Sequence, residues 1–112
     1  MKIVVNRCYG GFGLSDKAFE KYLEYKGIDY DKKENASIFE GNEYYDKNGE
    51  IISYYDIPRD DIYLVKVVEY FGEEADGGFA ELKVIEIPDD IEWEIEEYDG
   101  NEWISEKHRT WS

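Results

Sequence analysis

Three arginines, one histidine and one cysteine carry most of the reactive or anion-binding chemistry in this chain of 112 residues. Arg7 and Cys8 open a glycine-rich stretch, Arg7-Cys8-Tyr9-Gly10-Gly11-Phe12-Gly13-Leu14-Ser15. Arg59 stands before a helical pattern, and His108, Arg109 and Trp111 stand together near the end. Arginine offers a rigid fork of donors that suits bidentate anion recognition and buried ion pairs alike. The three arginines fall at element boundaries, whereas the chain otherwise uses lysine for positive charge. Two readings are open: convergence on an anionic ligand, or internal pairing with carboxylates.

The glycine stretch favours the ligand reading in one respect. Main-chain amides of Gly10, Gly11 and Gly13, with a helix start at Ser15 behind them, can cradle a phosphate or carboxylate. Arg7 would add a bidentate donor, and Tyr9 flanks the loop. The stretch lacks the lysine of a P-loop, and its glycine spacing is not the dinucleotide fingerprint. The competing reading is a tight turn with Phe12 plugged into the core. At the other end, His108, Arg109 and Trp111 offer an imidazole, a guanidinium and a stacking aromatic, a set suited to a nucleotide or a similar planar anion. Alternatively these cations pair with the carboxylates before them, each exposed pair contributing little.

Those carboxylates are the third candidate. From Asp89 to Glu106 there are nine acidic residues and no basic one. Ile91-Glu92-Trp93-Glu94-Ile95-Glu96 alternates strictly, as a strand with one apolar and one acidic face does. Glu92, Glu94 and Glu96 would project together, near Glu97, Asp99, Glu102 and Glu106. Such a face can imitate the charge of a nucleic-acid backbone, or can serve only as a solvated surface.

Catalysis is less well supplied. Cys8 and His108 could be nucleophile and base only if the fold joins them, and no spacing fixes them together. One cysteine and one histidine leave only carboxylates to complete a metal site, and the acidic runs lack the spacing of a calcium loop. No cofactor, metal or catalytic residue is expected.

The elements that must position these groups follow from the pattern. Lys2 to Cys8 reads as a buried strand. Ser15 caps a helix from about Asp16 to Lys26, with Ala18, Phe19, Tyr22 and Leu23 as its apolar stripe and Gly27 as its stop. Residues 28 to 58 are polar and tyrosine-rich, with little periodicity; Asn48-Gly49 signals a small hairpin. Asp60 or Asp61 caps a second helix, from about Asp61 to Phe71, with Leu64, Val65, Val68 and Phe71 inward and Gly72 at its end. Glu73 to Gly78 reads as a solvated connector. Ala80 to Ile87 is a strand, and two more flank a turn at Tyr98-Asp99-Gly100-Asn101. The sum is a single α+β domain, a mostly antiparallel sheet of about four strands with two helices packed on one face.

Composition bounds the function. Net charge is −15, from 28 acidic and 13 basic residues. Such a chain repels nucleic acid and anionic membranes, so basic proteins become the natural macromolecular partners. Aromatics make up 17% of residues, enough for a core despite the charge. One cysteine permits no internal disulfide, which fits a reducing cytoplasm. No cleavable apolar leader is visible, and no apolar run approaches the roughly 20 residues needed to span a bilayer.

Asn6-Arg7-Cys8-Tyr9-Gly10-Gly11-Phe12-Gly13-Leu14-Ser15 resembles the opening of a family of small proteins common in bacteriophage and prophage genomes. The resemblance continues through Arg59-Asp60-Asp61, Leu64-Val65, Val67-Val68-Glu69, Gly72-Glu73-Glu74-Ala75, Gly77 and Leu82-Lys83-Val84-Ile85-Glu86-Ile87-Pro88. It closes with Glu92-Trp93-Glu94-Ile95 and with Glu106-Lys107-His108-Arg109-Thr110-Trp111. It covers both ends of the chain and not residues 28 to 57. It implies an origin, an accessory phage protein acting in a bacterial cytoplasm, and no catalytic residues. The expectation is a non-enzymatic protein that binds a host protein, related to defence, through the acidic face of Glu92, Glu94, Glu96 and Asp99. The alternative is a protein that sequesters a nucleotide-like anion with the glycine loop and the arginines.

Overall fold

Lys2–Asn6 (β1) is a buried strand that lies against the second helix, its partner strand and the final hairpin. A computed structural model describes residues 1–37, 41–78 and 80–106. After β1 come α1 (Asp16–Lys26), β2 (Asp31–Ser37), β3 (Gly41–Tyr45) and β4 (Ile51–Ile52). A 3₁₀ turn at Tyr54–Asp56 leads to α2 (Ile62–Phe71), and a second at Gly72–Ala75 leads to β5 (Leu82–Glu86). The hairpin of β6 (Trp93–Tyr98) and β7 (Asn101–Glu106) follows. The class is α+β, as the pattern of strands and helices implies.

The strands are arranged differently from the expected single sheet of about four. Among the described residues, seven antiparallel strands form three small sheets: β1–β5, β2–β3–β4 and β6–β7. The reason lies at the second edge of β1. Ladder bonds run from Arg7 N–H to Glu81 C=O and from Ile87 N–H to Met1 C=O, so the odd residues of β1 bond to β5. The even residues point the other way, and among the described residues no strand pairs with them. Val4 N–H donates to the Arg59 carbonyl at 2.9 Å, and Asn6 N–H donates to the Glu102 carboxylate at 2.8 Å. Side chains and one loop thus satisfy an edge that would otherwise need a third strand.

Both helices start and stop where local chemistry dictates. Ser15 Oγ accepts from Ala18 N–H, Asp16 faces the positive end, and Gly27 closes α1 at φ 69°. The Asp61 carboxylate accepts from Tyr63 and Leu64 N–H at the start of α2. The buried stripes, Ala18, Phe19, Tyr22 and Leu23 on α1 and Leu64, Val65, Val67 and Val68 on α2, pack into one core with Val4, Phe12, Leu14 and Leu82. Fully burying one such side chain stabilises by about 1.5–3 kcal/mol.

The polar excursion is a sheet of its own. The turn at Asn48-Gly49 joins β3 to β4 as the tight-turn signal implies, with Tyr45 opposite Ile51. Phe19 meets Tyr44 and Tyr54 edge-on, at 5.1 and 5.9 Å between ring centroids. The segment after α2 is not the solvated connector expected. Ala75 is fully buried, and its carbonyl accepts from Ser15 N–H. Gly77 lies so close to Gly13 that a Cβ on it would sit 2.8 Å from the Gly13 carbonyl carbon.

Candidate functional site

The glycine stretch is a joint that receives two other parts of the chain. Gly10 and Gly11 hold φ of 135° and 98°, conformations open to glycine. The β6–β7 turn seats on them: Gly10 N–H donates to the Asp99 carbonyl at 3.0 Å. A Cβ on Gly100 would fall 2.2 Å from the Gly11 nitrogen. Further along, Gly13 C=O accepts from Gly77 N–H, and the Ser15 hydroxyl donates to the Glu74 carbonyl at 2.7 Å. Phe12 is plugged into the core, 5% exposed, while Tyr9 is exposed beside the loop. The amide of Gly10 and the hydroxyl of Ser15 therefore have internal partners.

Asn6, fully buried, locks this joint. Its amide donates to the carbonyls of Cys8 and Gly100, both at 2.8 Å, and its Oδ1 accepts from the N–H groups of Cys8 and Glu81. All four of its hydrogen-bonding capacities are used.

Beside it lies the strongest electrostatic feature of the fold. Glu102, 6% exposed, takes a bidentate pair from Arg59 at 2.5 and 2.9 Å and a third bond from Asn6 N–H. The Arg59 guanidinium also stacks over Phe12, 3.7 Å from the ring centroid, and reaches the Val4 carbonyl. Arg7 donates to the main-chain carbonyl of Glu102 at 3.1 Å. Two of the three arginines therefore do converge, and what they converge on is a buried glutamate. Arg109, with His108 and Trp111, lies outside the described residues. Sequence reasoning grouped Glu102 with an exposed acidic face. Only its partner, 43 positions away in the chain, tells it apart from its neighbours.

The hairpin sorts the remaining acids. Pairing sets Glu94 opposite Ser105, Glu96 opposite Trp103 and Tyr98 opposite Asn101 on its outer face. Trp93, Ile95 and Glu97 share the inner face with Glu106, Ile104 and Glu102. Glu97, Glu102 and Glu106 thus do not join the outer acidic face that the sequence reading placed them near. Glu92 lies just before β6, and Glu92, Glu94, Glu96 and Asp99 are all exposed. Among the described residues none of these four forms an ion pair. Two aromatics that sequence reasoning passed over share the outer face. Tyr98 is exposed, and the Trp103 indole N–H donates to Glu96 at 3.1 Å.

Elsewhere the titratable clusters are anchors. The Glu20 carboxylate accepts from Lys32, Tyr44 and Tyr30, tying α1 to the β2–β3 sheet. Burial pushes Glu20 up, but those donors and the Lys32 charge together carry it below its usual range. Asp61 behaves alike: burial raises it, and Tyr22, two main-chain amides and Lys26 bring it lower. Tyr22 and Tyr44 are pushed well above the normal tyrosine range, by burial first and by the carboxylates they donate to second.

Two clefts among the described residues are lined without either described arginine. One cleft of about 260 Å³ is lined by Met1, Lys2, Asp60, Ile62 and Val65. Another of about 290 Å³ is lined by Gly72, Glu73, Asp76, Glu81, Leu82 and Lys83. Among the described residues no group of three or more His, Cys, Asp or Glu is placed to hold a metal. No helix among them is long and apolar enough to cross a membrane. Comparison with known protein families, with curated proteins and with solved structures gave no match.

Proposed function

We propose that this chain is a binding protein that covers a basic surface on a partner protein with the outer face of the β6–β7 hairpin. The observation that carries this reading is the arrangement of Glu92, Glu94 and Glu96, exposed and without a cation to neutralise them among the described residues. Carboxylates repeated at every second residue present charge at spaced intervals, as a nucleic-acid backbone does. Such a field speeds encounter with a basic partner and rejects acidic ones. Trp103 and Tyr98 add apolar contact area beside the charge, as aromatic anchors do at protein interfaces. The resemblance to phage proteins points to a bacterial host protein related to defence, met in the cytoplasm.

The rival reading, sequestration of a nucleotide-like anion, draws less support. Both terminal nitrogens of Arg59 are engaged by Glu102, and the Gly10 amide is engaged by Asp99. Native mass spectrometry of the protein purified gently from bacterial lysate separates the two. A co-purifying basic protein, lost when Glu92, Glu94 and Glu96 are replaced by lysine, is expected. A small adduct of nucleotide mass that survives those substitutions would overturn the proposal.

A further inference from the structure

The ladder that joins β1 to β5 uses Glu81, Lys83, Ile85 and Ile87 of the β5 side. Leu82, Val84 and Glu86 therefore turn their N–H and C=O groups to the opposite edge. Leu82 N–H is taken by the Asp76 carboxylate at 2.9 Å. For Val84 and Glu86, no partner on that edge exists among the described residues. The spare edge of β1 is filled by Arg59 and Glu102; among the described residues that of β5 is filled only at Leu82.

An unpaired edge with a buried face behind it is a template for another strand. Its surroundings specify which kind. At the Leu82 end of the edge lies the cleft of about 290 Å³ lined by Glu73, Asp76, Glu81 and Lys83 over Leu82. Three carboxylates there face one ammonium, and Lys83 already pairs with Glu81 at 3.7 Å. Glu86 adds an exposed carboxylate at the other end. A second copy of a chain carrying a net charge of −15 meets that field unfavourably.

We infer that β5 is a docking edge for an extended basic segment of another protein, which adds as a strand through Val84 and Glu86. One lysine or arginine of that segment enters the cleft between Glu73, Asp76 and Glu81. The edge is separate from the outer face of the hairpin, and the inference stands without the function proposed above.

The probe is a peptide of alternating lysine and valine, about seven residues long, tested by amide hydrogen exchange of the intact chain. Two controls accompany it: the same peptide with glutamate for lysine, and the same peptide N-methylated at every residue. The methylated peptide keeps its charge but cannot donate to a strand edge. The lysine peptide is expected to slow exchange at Val84 and Glu86 by about tenfold or more, and the two controls to leave it unchanged. The pair Glu73→Lys and Glu81→Lys, both exposed, should abolish the effect. Replacing Glu92, Glu94 and Glu96 by lysine should leave it intact, so the two sites fail or stand separately. Equal protection by the methylated peptide would overturn the inference. So would no protection by any peptide, loss of protection in the hairpin variant, or protection without peptide that grows with protein concentration.

Discussion

At the scale of single residues, the pairing of Arg59 with Glu102 ties the middle of the chain to its last hairpin, and each partner also bonds to β1. It is bidentate, largely buried and backed by the Phe12 ring. A buried ion pair adds little over a well-packed apolar pair, but removing one partner leaves the other charge uncompensated. Arg59→Ala should therefore destabilise by about 3–5 kcal/mol, measured by urea unfolding. Arg59→Lys keeps the charge but loses the fork and the stacking, and should recover only part of that loss. A loss within experimental error for Arg59→Ala would mean that the pair is replaceable by water. Tyr22 and Tyr44 offer a second test. Each is held protonated in the fold above its ordinary range. A group raised in this way contributes stability that is full below its unfolded value, about pH 10, and is lost as pH rises. Absorbance titration should show two tyrosines ionising only together with alkaline unfolding. Ionisation of all eleven near the ordinary value, with the fold intact, would contradict the burial seen here.

At the scale of elements, the hairpin and the glycine joint depend on each other. Gly100 holds φ 89°, and a Cβ there would strike the main chain of Gly11. Gly100→Ala should lift the turn from Gly10 and lower stability by roughly 1–3 kcal/mol. Gly49→Ala controls for φ alone, since it has positive φ and open space around it; it should be milder. The same elements show what a sequence can disclose. The bounds and stripe of α1 were legible because cap, periodicity and stop signal are all local, from Ser15 to Gly27. The turn at Asp99-Gly100 was legible for the same reason. β2 was not: Asp-Lys-Lys-Glu-Asn-Ala-Ser has no apolar alternation, and it is a strand because Tyr44 and Tyr45 of β3 pair with it. Glu102 was misread because burial of a carboxylate is decided by a distant arginine. The candidate acidic face was half legible, since alternation identified Glu92, Glu94 and Glu96 but not the aromatics Tyr98 and Trp103 that share their face.

At the scale of the whole molecule, charge governs behaviour. With 28 acidic and 13 basic residues, the folded chain repels itself near neutrality. Raising salt from about 0.01 to 0.15 M shortens the screening length from about 30 to 8 Å and should raise the melting temperature. The pH profile combines two opposed effects. Protonating exposed carboxylates relieves repulsion, so stability should rise as pH falls from 7. Glu20 and Asp61 oppose this, because their values are depressed in the fold. Their contribution is full above the unfolded values, about 4, and is lost as pH falls through the lower folded values. Stability should therefore peak at mildly acidic pH and collapse below about pH 4. A monotonic decline from pH 7 would show that self-repulsion is negligible.

The central claim is that the outer hairpin face binds a basic protein surface, and one measurement tests it most directly. Affinity for the basic protein that co-purifies with the chain would be measured across a salt series. The native chain would be compared with the variant carrying Glu92→Lys, Glu94→Lys and Glu96→Lys. The account predicts an affinity loss of about tenfold or more together with a flatter salt dependence. Unchanged affinity and unchanged salt dependence in the folded variant would contradict it.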